Sequence, residues 1–175
     1  MNLLLLPGNS PDHKSWIQKL SQLFKPFFDE TIALDYENWK SPHARIVDFE
    51  VEGEKIKRAT SGWGDYCVFA KSVGVALTIK SIREGILNPS KCVFVGSPFL
   101  WTRENSIDLD SWIVGFSIQS LFIQQKSDPC MPSDDLKKLL VDKRITNYEY
   151  QEVSGDDHKY DNLEELVDLS RKFFF

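Results

Sequence analysis

The sequence predicts an α/β fold, a three-layer α/β/α sandwich around a mostly parallel sheet of about six strands. Short, continuously apolar runs recur along the chain, and longer segments with helical spacing of apolar residues lie between them. Runs such as Cys92-Val93-Phe94-Val95 are apolar on both faces, as is typical of parallel strands covered by helices on both sides. Strands that alternate with helices imply βαβ units with right-handed crossovers. A chain of 175 residues can bury one core, so we expect a single domain over 1–175.

The strands are predicted at short, mostly apolar segments that alternate with the longer helical patterns. In chain order they lie at 2–6, 31–35, 66–70, 91–95, 119–124 and 146–152. The first is a run of four leucines closed by Pro7-Gly8, which is much shorter than a membrane span and lacks the basic start of a signal peptide. We therefore expect a cytoplasmic protein with no membrane segment.

The helices are predicted where apolar residues recur at intervals of three and four. They lie at 11–24, 44–58, 73–84, 133–141 and 161–173. Ser10 is the expected cap of the first helix, with Pro11 in its first turn, and Asp161 and Glu164 have the spacing of a capping box at the last. The remaining long segments, 36–43 and 96–112, are predicted to be loops.

Composition excludes several classes of function. The net charge of −5 argues against nucleic-acid binding, because a phosphate-binding surface needs clustered Lys and Arg. The three cysteines are odd in number and show neither a CxxC pair nor a metal-ligand spacing, so no disulfide framework is expected. The three histidines lie far apart, which predicts no metal site. Gly62-Trp63-Gly64 precedes a strand instead of joining a strand to a helix, so no phosphate loop and no cofactor are expected.

The segment Ala70-Lys71-Ser72-Val73-Gly74 carries the strongest functional signal. It joins the apolar run 66–70 to a predicted helix and places a serine between small residues. Such a strand–turn–helix element exposes a hydroxyl as a nucleophile and strains the serine backbone, which is why bulky neighbours are excluded. The alternative is an ordinary helix-capping serine, which is common in such a position.

Two further polar groups follow later strands. Asp128 comes after the fifth strand and His158 after the sixth, which gives the chain order Ser, Asp, His of the α/β-hydrolase triad. A serine hydroxyl needs an imidazole to accept its proton, and the imidazole needs a carboxylate to fix its tautomer. Taken singly, Asp128 could simply begin a turn before Pro129, and His158 could be a solvated loop residue. Their joint order at strand ends favours the catalytic interpretation.

A hydrolase of this kind also needs an oxyanion hole and a substrate pocket. The backbone N–H of Val73, next to the serine, is the expected first donor, and the N–H of Asn9 is the expected second. Lys71, Phe99 and Trp101 are candidate pocket residues, the two aromatic ones lying in the segment 96–112. The segment 36–43, which contains Trp39, Pro42 and His43, is expected to shape the pocket as well.

Together these motifs resemble the small, cap-less α/β-hydrolases similar to the retinoblastoma-binding-protein-9 serine hydrolases. The segments that carry the resemblance are Leu5-Leu6-Pro7-Gly8-Asn9, Trp16, Phe69-Ala70-Lys71-Ser72-Val73-Gly74, Ser127-Asp128-Pro129-Cys130-Met131-Pro132 and Asp157-His158. It implies a shortened α/β-hydrolase sheet with Ser72 as nucleophile, Asp128 as acid and His158 as base. The chain departs from the pattern at Ala70 and Val75, where glycine is usual, and at Lys71, where histidine is frequent. A cation at that position could affect substrate choice or could point into solvent.

The expected function is hydrolysis of a small carboxylic ester, thioester or amide through an acyl-enzyme. The alternative is a protein-interaction module or pseudoenzyme on a hydrolase fold, with a protein partner at the aromatic segment 96–112. A third possibility, a flavodoxin-like or nucleotide-binding domain, follows from fold class alone and is disfavoured because no phosphate loop is present.

Overall fold

The computed structural model describes residues 1–40 and 45–175. Pro42 and His43 of the predicted loop 36–43 lie outside the described residues. The six strands are β1 (Asn2–Leu6), β2 (Thr31–Ala33), β3 (Tyr66–Lys71), β4 (Lys91–Val95), β5 (Gln119–Gln125) and β6 (Tyr148–Val153). Each lies within two residues of its predicted bounds.

The strands form one sheet in the order β2-β1-β3-β4-β5-β6. Every neighbouring pair is parallel; Leu5, for example, is in register with Ala33 on one side and Phe69 on the other. All strand carboxyl ends therefore lie at one edge, where the loops of an open α/β sheet place functional groups. The predicted α/β fold class is confirmed.

Helices cover both faces of the sheet. They are α1 (His13–Phe24), α2 (Phe49–Ala59), α3 (Val73–Arg83), α4 (Phe99–Glu104), α5 (Leu109–Trp112), α6 (Ser133–Asp142) and α7 (Leu163–Phe174). Side chains alternate along each strand, so Leu3 and Leu5 pack with α1 and α7, whereas Leu4 and Leu6 pack with the other helices. This divides the core into two apolar layers, one on each face.

Three helix starts differ from the predictions, two of them because other residues act as caps. Helix α2 begins at Phe49 and not at 44, since the carboxylate of Asp48 accepts the N–H groups of Glu50 and Val51. Helix α7 is capped by Asn162, one residue after the predicted Asp161. Ser10 lies in the turn before α1, where its hydroxyl accepts the N–H of Asp12, and it does not cap the helix.

The segment 96–112 was predicted to be a loop, and this prediction is wrong because the segment contains α4 and α5. Phe99 and Leu109 are fully buried in the core, and the side chain of Asp108 caps α5 by accepting the N–H of Ser111. Among the described residues, no helix has the length and the apolar character that crossing a bilayer requires.

Candidate active site

Ser72 occupies the turn between β3 and α3 in a conformation that few residues adopt. Its φ of 54° and ψ of −122° lie outside the regions that side chains favour. The turn is fixed by its N–H, which donates to the carbonyl of Val95 at 2.9 Å, and by its carbonyl, which accepts the N–H of Val75 at 2.8 Å. This geometry is that of a nucleophile elbow.

A continuous hydrogen-bond chain runs from Ser72 to Asp128. Ser72 Oγ lies 2.9 Å from His158 Nε2, and His158 Nδ1 lies 2.8 and 2.9 Å from the two carboxylate oxygens of Asp128. An ionised carboxylate can only accept, so Nδ1 carries the proton and donates it to Asp128. Nε2 is then the acceptor for the serine hydroxyl. The structure thus brings together the three residues that the sequence selected as a triad.

Asp128 is fully buried and receives two further donors. The hydroxyl of Tyr160 donates to it at 2.7 Å, and so does the N–H of Cys130, also at 2.7 Å. Burial alone would raise the pKa of Asp128, but the hydrogen bond and the charge of His158, with these donors, hold it below its usual value. Burial and the negative charge of Asp128 raise the pKa of Tyr160, so its hydroxyl stays protonated as a donor.

Gln125, the last residue of β5, holds the loop that carries His158. Its side-chain oxygen accepts the N–H groups of Asp157 and His158 at 3.2 and 2.9 Å, and its backbone N–H donates to the hydroxyl of Tyr160 at 2.8 Å. On the other side, the His158 ring packs against Gly96, where a Cβ atom would lie 2.9 Å from Cε1. The imidazole is therefore held from its backbone and from its ring.

The loop Pro7-Gly8-Asn9 follows β1 and is fixed by its carbonyl groups. The carbonyl of Pro7 accepts from the hydroxyl of Tyr36 and the N–H of Gly74, and that of Asn9 accepts from the indole of Trp39 at 2.9 Å. The side chain of Asn9 is also engaged, with its oxygen accepting the N–H of Val47 at 2.9 Å and its nitrogen donating to the carbonyl of Arg45 at 2.7 Å.

Among the residues that the structure describes, neither the N–H of Asn9 nor that of Val73 has an acceptor. Both belong to turns that flank Ser72, one in the β1 loop and one directly after the serine. They are the two N–H groups expected from the sequence to form an oxyanion hole.

The three candidate pocket residues differ in their exposure. Lys71 and Phe99 have no solvent-exposed surface, so the prediction that they line an open pocket is wrong for both. Phe99 belongs to the apolar layer under α4, and Trp101 is a half-buried residue of α4 packed against the same layer. Lys71 does not point into solvent either, because its Nζ lies 3.0 Å from His13 Nε2 inside the protein.

Cys130 adjoins the triad but is not activated. Burial and the neighbouring charge of Asp128 raise the pKa of its thiol to about 11, so it is protonated at neutral pH. Donor atoms of Asp128, Cys130 and His158 lie within 4.8 Å of one another. The carboxylate and the imidazole are hydrogen-bonded to each other, so the triad accounts for this arrangement without an ion. The other two cysteines are buried and free.

Comparison with known proteins identifies the fold. No protein-family model matches the chain, and no curated protein matches it either. Among solved structures it is similar to mouse alpha/beta hydrolase domain-containing protein 10, with a TM-score of 0.74 and 10% identity over 99% of this chain and 89% of that one. It is similar to Est1E from Butyrivibrio proteoclasticus, solved with ferulic acid bound, with a TM-score of 0.76 and 11% identity over 99% and 87%.

A third similar structure is an α/β serine hydrolase homologue from Coxiella burnetii, with a TM-score of 0.72 and 16% identity over 97% of this chain and 82% of that one. At these identities the likeness defines the fold alone. The chain has a shortened α/β-hydrolase fold.

Proposed function

We propose that this protein is a serine hydrolase that cleaves a small carboxylic ester, thioester or amide through an acyl-enzyme. The observation that carries the proposal is the 2.9 Å contact between Ser72 Oγ and His158 Nε2 at a strained turn, with His158 held in turn by Asp128. A capping serine has no need of an imidazole partner or of this backbone conformation. The α/β-hydrolase fold of the chain is consistent with the proposal.

Acylation begins when Ser72 Oγ attacks the acyl carbonyl carbon and its proton passes to His158 Nε2. The carbonyl oxygen becomes an oxyanion, which the N–H groups of Val73 and Asn9 stabilise. The bond to the leaving oxygen, sulfur or nitrogen then breaks, and the leaving group takes the proton from Nε2. Asp128 remains ionised throughout and stabilises the imidazolium, consistent with its lowered pKa.

Deacylation repeats these steps with water as the nucleophile. His158 removes a proton from water, the hydroxide adds to the acyl carbon, and the ester bond to Ser72 breaks as Oγ recovers the proton. The carboxylic acid leaves and the triad is restored. The side chain of His158 is 15% exposed and Ser72 is 9% exposed, so both side chains of the proposed reaction reach the surface.

The same motifs support a narrower proposal about ancestry. The Pro7-Gly8-Asn9 loop and the Ser72 turn flank the triad in the order that the retinoblastoma-binding-protein-9-like hydrolases show, and we include membership of that family in the proposal. Three cysteines without a disulfide fit a reducing compartment such as the cytoplasm.

Labelling with a fluorophosphonate probe tests the function directly. We expect the wild-type protein to be labelled at Ser72, because the probe needs an activated serine and an oxyanion hole. The variant Ser72→Ala should stay unlabelled, whereas Ser61→Ala, which removes an exposed serine outside the site, should label like wild type. Peptide mapping by mass spectrometry identifies the labelled residue.

A folded wild-type protein that is never labelled would contradict the proposal and favour a binding module instead. If labelling succeeds, a series of p-nitrophenyl esters of increasing acyl length measures the size of the acyl site. We expect kcat/KM to be highest for short acyl chains, because only 9% of Ser72 is exposed.

A further inference from the structure

Lys71 is a charged residue in an unusual place, with no exposed surface and directly before the proposed nucleophile. Its ammonium lies 3.0 Å from His13 Nε2 and stands 5.5 Å from the ring of Trp16 and 5.9 Å from that of Tyr160. Burying an ammonium is costly unless something compensates. Burial lowers the pKa of Lys71 to about 8, even though the charges of Asp128 and other acidic groups act to raise it.

His13 connects this lysine to the loop after β1. Its ring lies so close to Gly8 that a Cβ atom there would be 2.4 Å from Nδ1. Burial, with the charges of Lys71 and His158, lowers the pKa of His13 to about 4, so the ring is neutral near pH 7. A neutral ring can accept at Nε2, and the ammonium of Lys71 can only donate. The contact is therefore a hydrogen bond from Lys71 to His13.

The two ends of this bond lie beside the two proposed oxyanion donors. Lys71 precedes Ser72 and Val73 in the turn, and His13 packs against Gly8, which precedes Asn9. The N–H groups of Val73 and Asn9 come from segments far apart in sequence, and a shift of one against the other would spoil a hole that needs both.

We propose that Lys71 and His13 are positioning residues, whose hydrogen bond holds the loop Pro7-Gly8-Asn9 in place against the turn at Ser72. This inference rests on the proposed hydrolase function. Neither side chain is hydrogen-bonded to Ser72 or His158. The bond acts through the spacing of the two N–H groups, and misplacement by about 1 Å can cost about 100-fold in rate.

The charged surroundings of Lys71 come from several elements. Asp128 and Cys130 face it from the loop after β5, Asp157 and Asp161 from the segment before α7, and His13 from α1. The carboxylates favour the ammonium form, whereas burial opposes it. The hydrogen bond between Lys71 and His13 requires desolvation of a charge, so we expect it to lower the stability of the fold. By holding the two proposed oxyanion donors in place, it should increase the rate of turnover.

Substitution of Lys71 separates positioning from packing. We expect Lys71→Met, which keeps the length and removes the charge, to lower kcat about 10- to 100-fold with KM changed less than about twofold. Its Tm should equal or exceed that of wild type, because a buried charge has been removed. The control Lys57→Met, on the exposed surface of α2, should change none of these values. Unchanged kcat, or a fall in kcat matched by a large fall in Tm, would overturn the proposal.

Substitution of His13 tests the bond from its other end and does not depend on Lys71→Met folding. His13→Gln places an acceptor near the position of Nε2 and should retain most of kcat, whereas His13→Leu should lose as much as Lys71→Met. The double variant Lys71→Met/His13→Leu should lose no more than either single one, because both changes remove the same bond. Additive losses would contradict the pairing.

Nuclear magnetic resonance supplies a readout that does not depend on catalysis. Wild-type His13 should stay neutral, with the proton on Nδ1, between pH 5 and pH 9. In Lys71→Met the pKa of His13 should rise above about 4 because the neighbouring charge is gone, but stay below 6.5 because the ring is still buried. If wild type is not labelled by the fluorophosphonate but shows this behaviour, the hydrolase function fails while the bond stands. If labelling succeeds and His13 titrates near 6.5 in wild type, the positioning proposal fails alone.

Discussion

Ser72, the proposed nucleophile, has an unfavourable backbone conformation. Its φ of 54° and ψ of −122° are tolerated by glycine and strained for other residues. Alanine at this position would keep the strain and remove only the hydroxyl, whereas glycine would remove both. The strained backbone of Ser72 therefore lowers the stability of the fold while it fixes the position of the hydroxyl.

This cost leads to a measurable difference between two inactive variants. We expect Ser72→Gly to be more stable than Ser72→Ala towards unfolding by about 1 kcal/mol or more, because the glycine relieves the strain. Urea denaturation followed by circular dichroism measures the difference. Equal stabilities, or a less stable glycine variant, would show that the turn is not strained.

The supporting residues of the site that could not be predicted from the sequence are those that belong to no motif. Tyr160 donates to Asp128 and Gln125 holds the backbone of His158, but neither belongs to a motif. The polar end of β5 comprises both Gln124 and Gln125, which does not single out Gln125. For Lys71 the sequence leaves substrate choice and solvent as alternatives, and only the fold shows that His13 lies within reach.

The junction between β1 and α3 depends on a close backbone approach. A Cβ atom at Gly74 would lie 2.4 Å from the carbonyl oxygen of Leu6 and 2.8 Å from that of Pro7. Both are backbone atoms, so they cannot move aside as a side chain can. The first turn of α3 must therefore carry glycine to reach the strand that bears the oxyanion loop.

Two glycine-to-alanine substitutions in helices should consequently have opposite effects. Gly74→Ala should destabilise the protein by about 2 kcal/mol or more, because helix and strand must separate. Gly53→Ala in α2 meets only the side chain of Ile86 at 3.5 Å and should stabilise by up to about 1 kcal/mol through helix propensity. Chemical denaturation of both variants checks the signs, and a neutral Gly74→Ala would contradict the close approach.

The six strands and five of the seven α-helices that the structure describes followed from the apolar pattern, whereas α4, α5 and the starts of three helices did not. The predicted bounds of every strand agree with the structure within two residues. The apolar pattern of α2 extends back to Ile46, but the helix itself starts after Asp48, which caps its first turn. The sequence predicts a loop with exposed aromatic residues at 96–112. In the structure, burial of Phe99 and Leu109 favours two short helices there. Caps and tertiary burial decide such cases, and neither is periodic.

At the scale of the whole molecule, the parallel sheet explains why residues so far apart could be assigned to one site. Ser72, Asp128 and His158 each follow a strand, and all strand carboxyl ends lie at one edge. The topology thus made the proposed triad predictable from the chain order of residues at strand ends. The walls of a substrate pocket could not be predicted in this way, because they depend on how loops pack. Lys71 and Phe99, for example, lie inside the protein.

The pH dependence of folding follows from two groups at this edge. The pKa of His13 is lowered from 6.5 to about 4, so the unfolded chain binds a proton that the folded protein resists. Stability should therefore fall as pH drops from about 6.5 to about 4. Asp128 has a pKa below its ordinary 3.8, and its contribution is present above that value and lost as pH falls through the lower one. The partly buried Asp110, paired with Arg103, adds to the same lower range.

We therefore expect two separable losses on acidification. His13→Gln cannot titrate and should flatten the stability profile between pH 6.5 and pH 4, while Asp128→Asn should flatten part of it below pH 4 and leave the upper range sloping. Urea unfolding at pH 7, 5, 4 and 3 measures both. A His13→Gln profile as steep as that of wild type in the upper range would show that His13 is not held neutral in the folded protein. His13 Nε2 would then not be the acceptor that Lys71 requires.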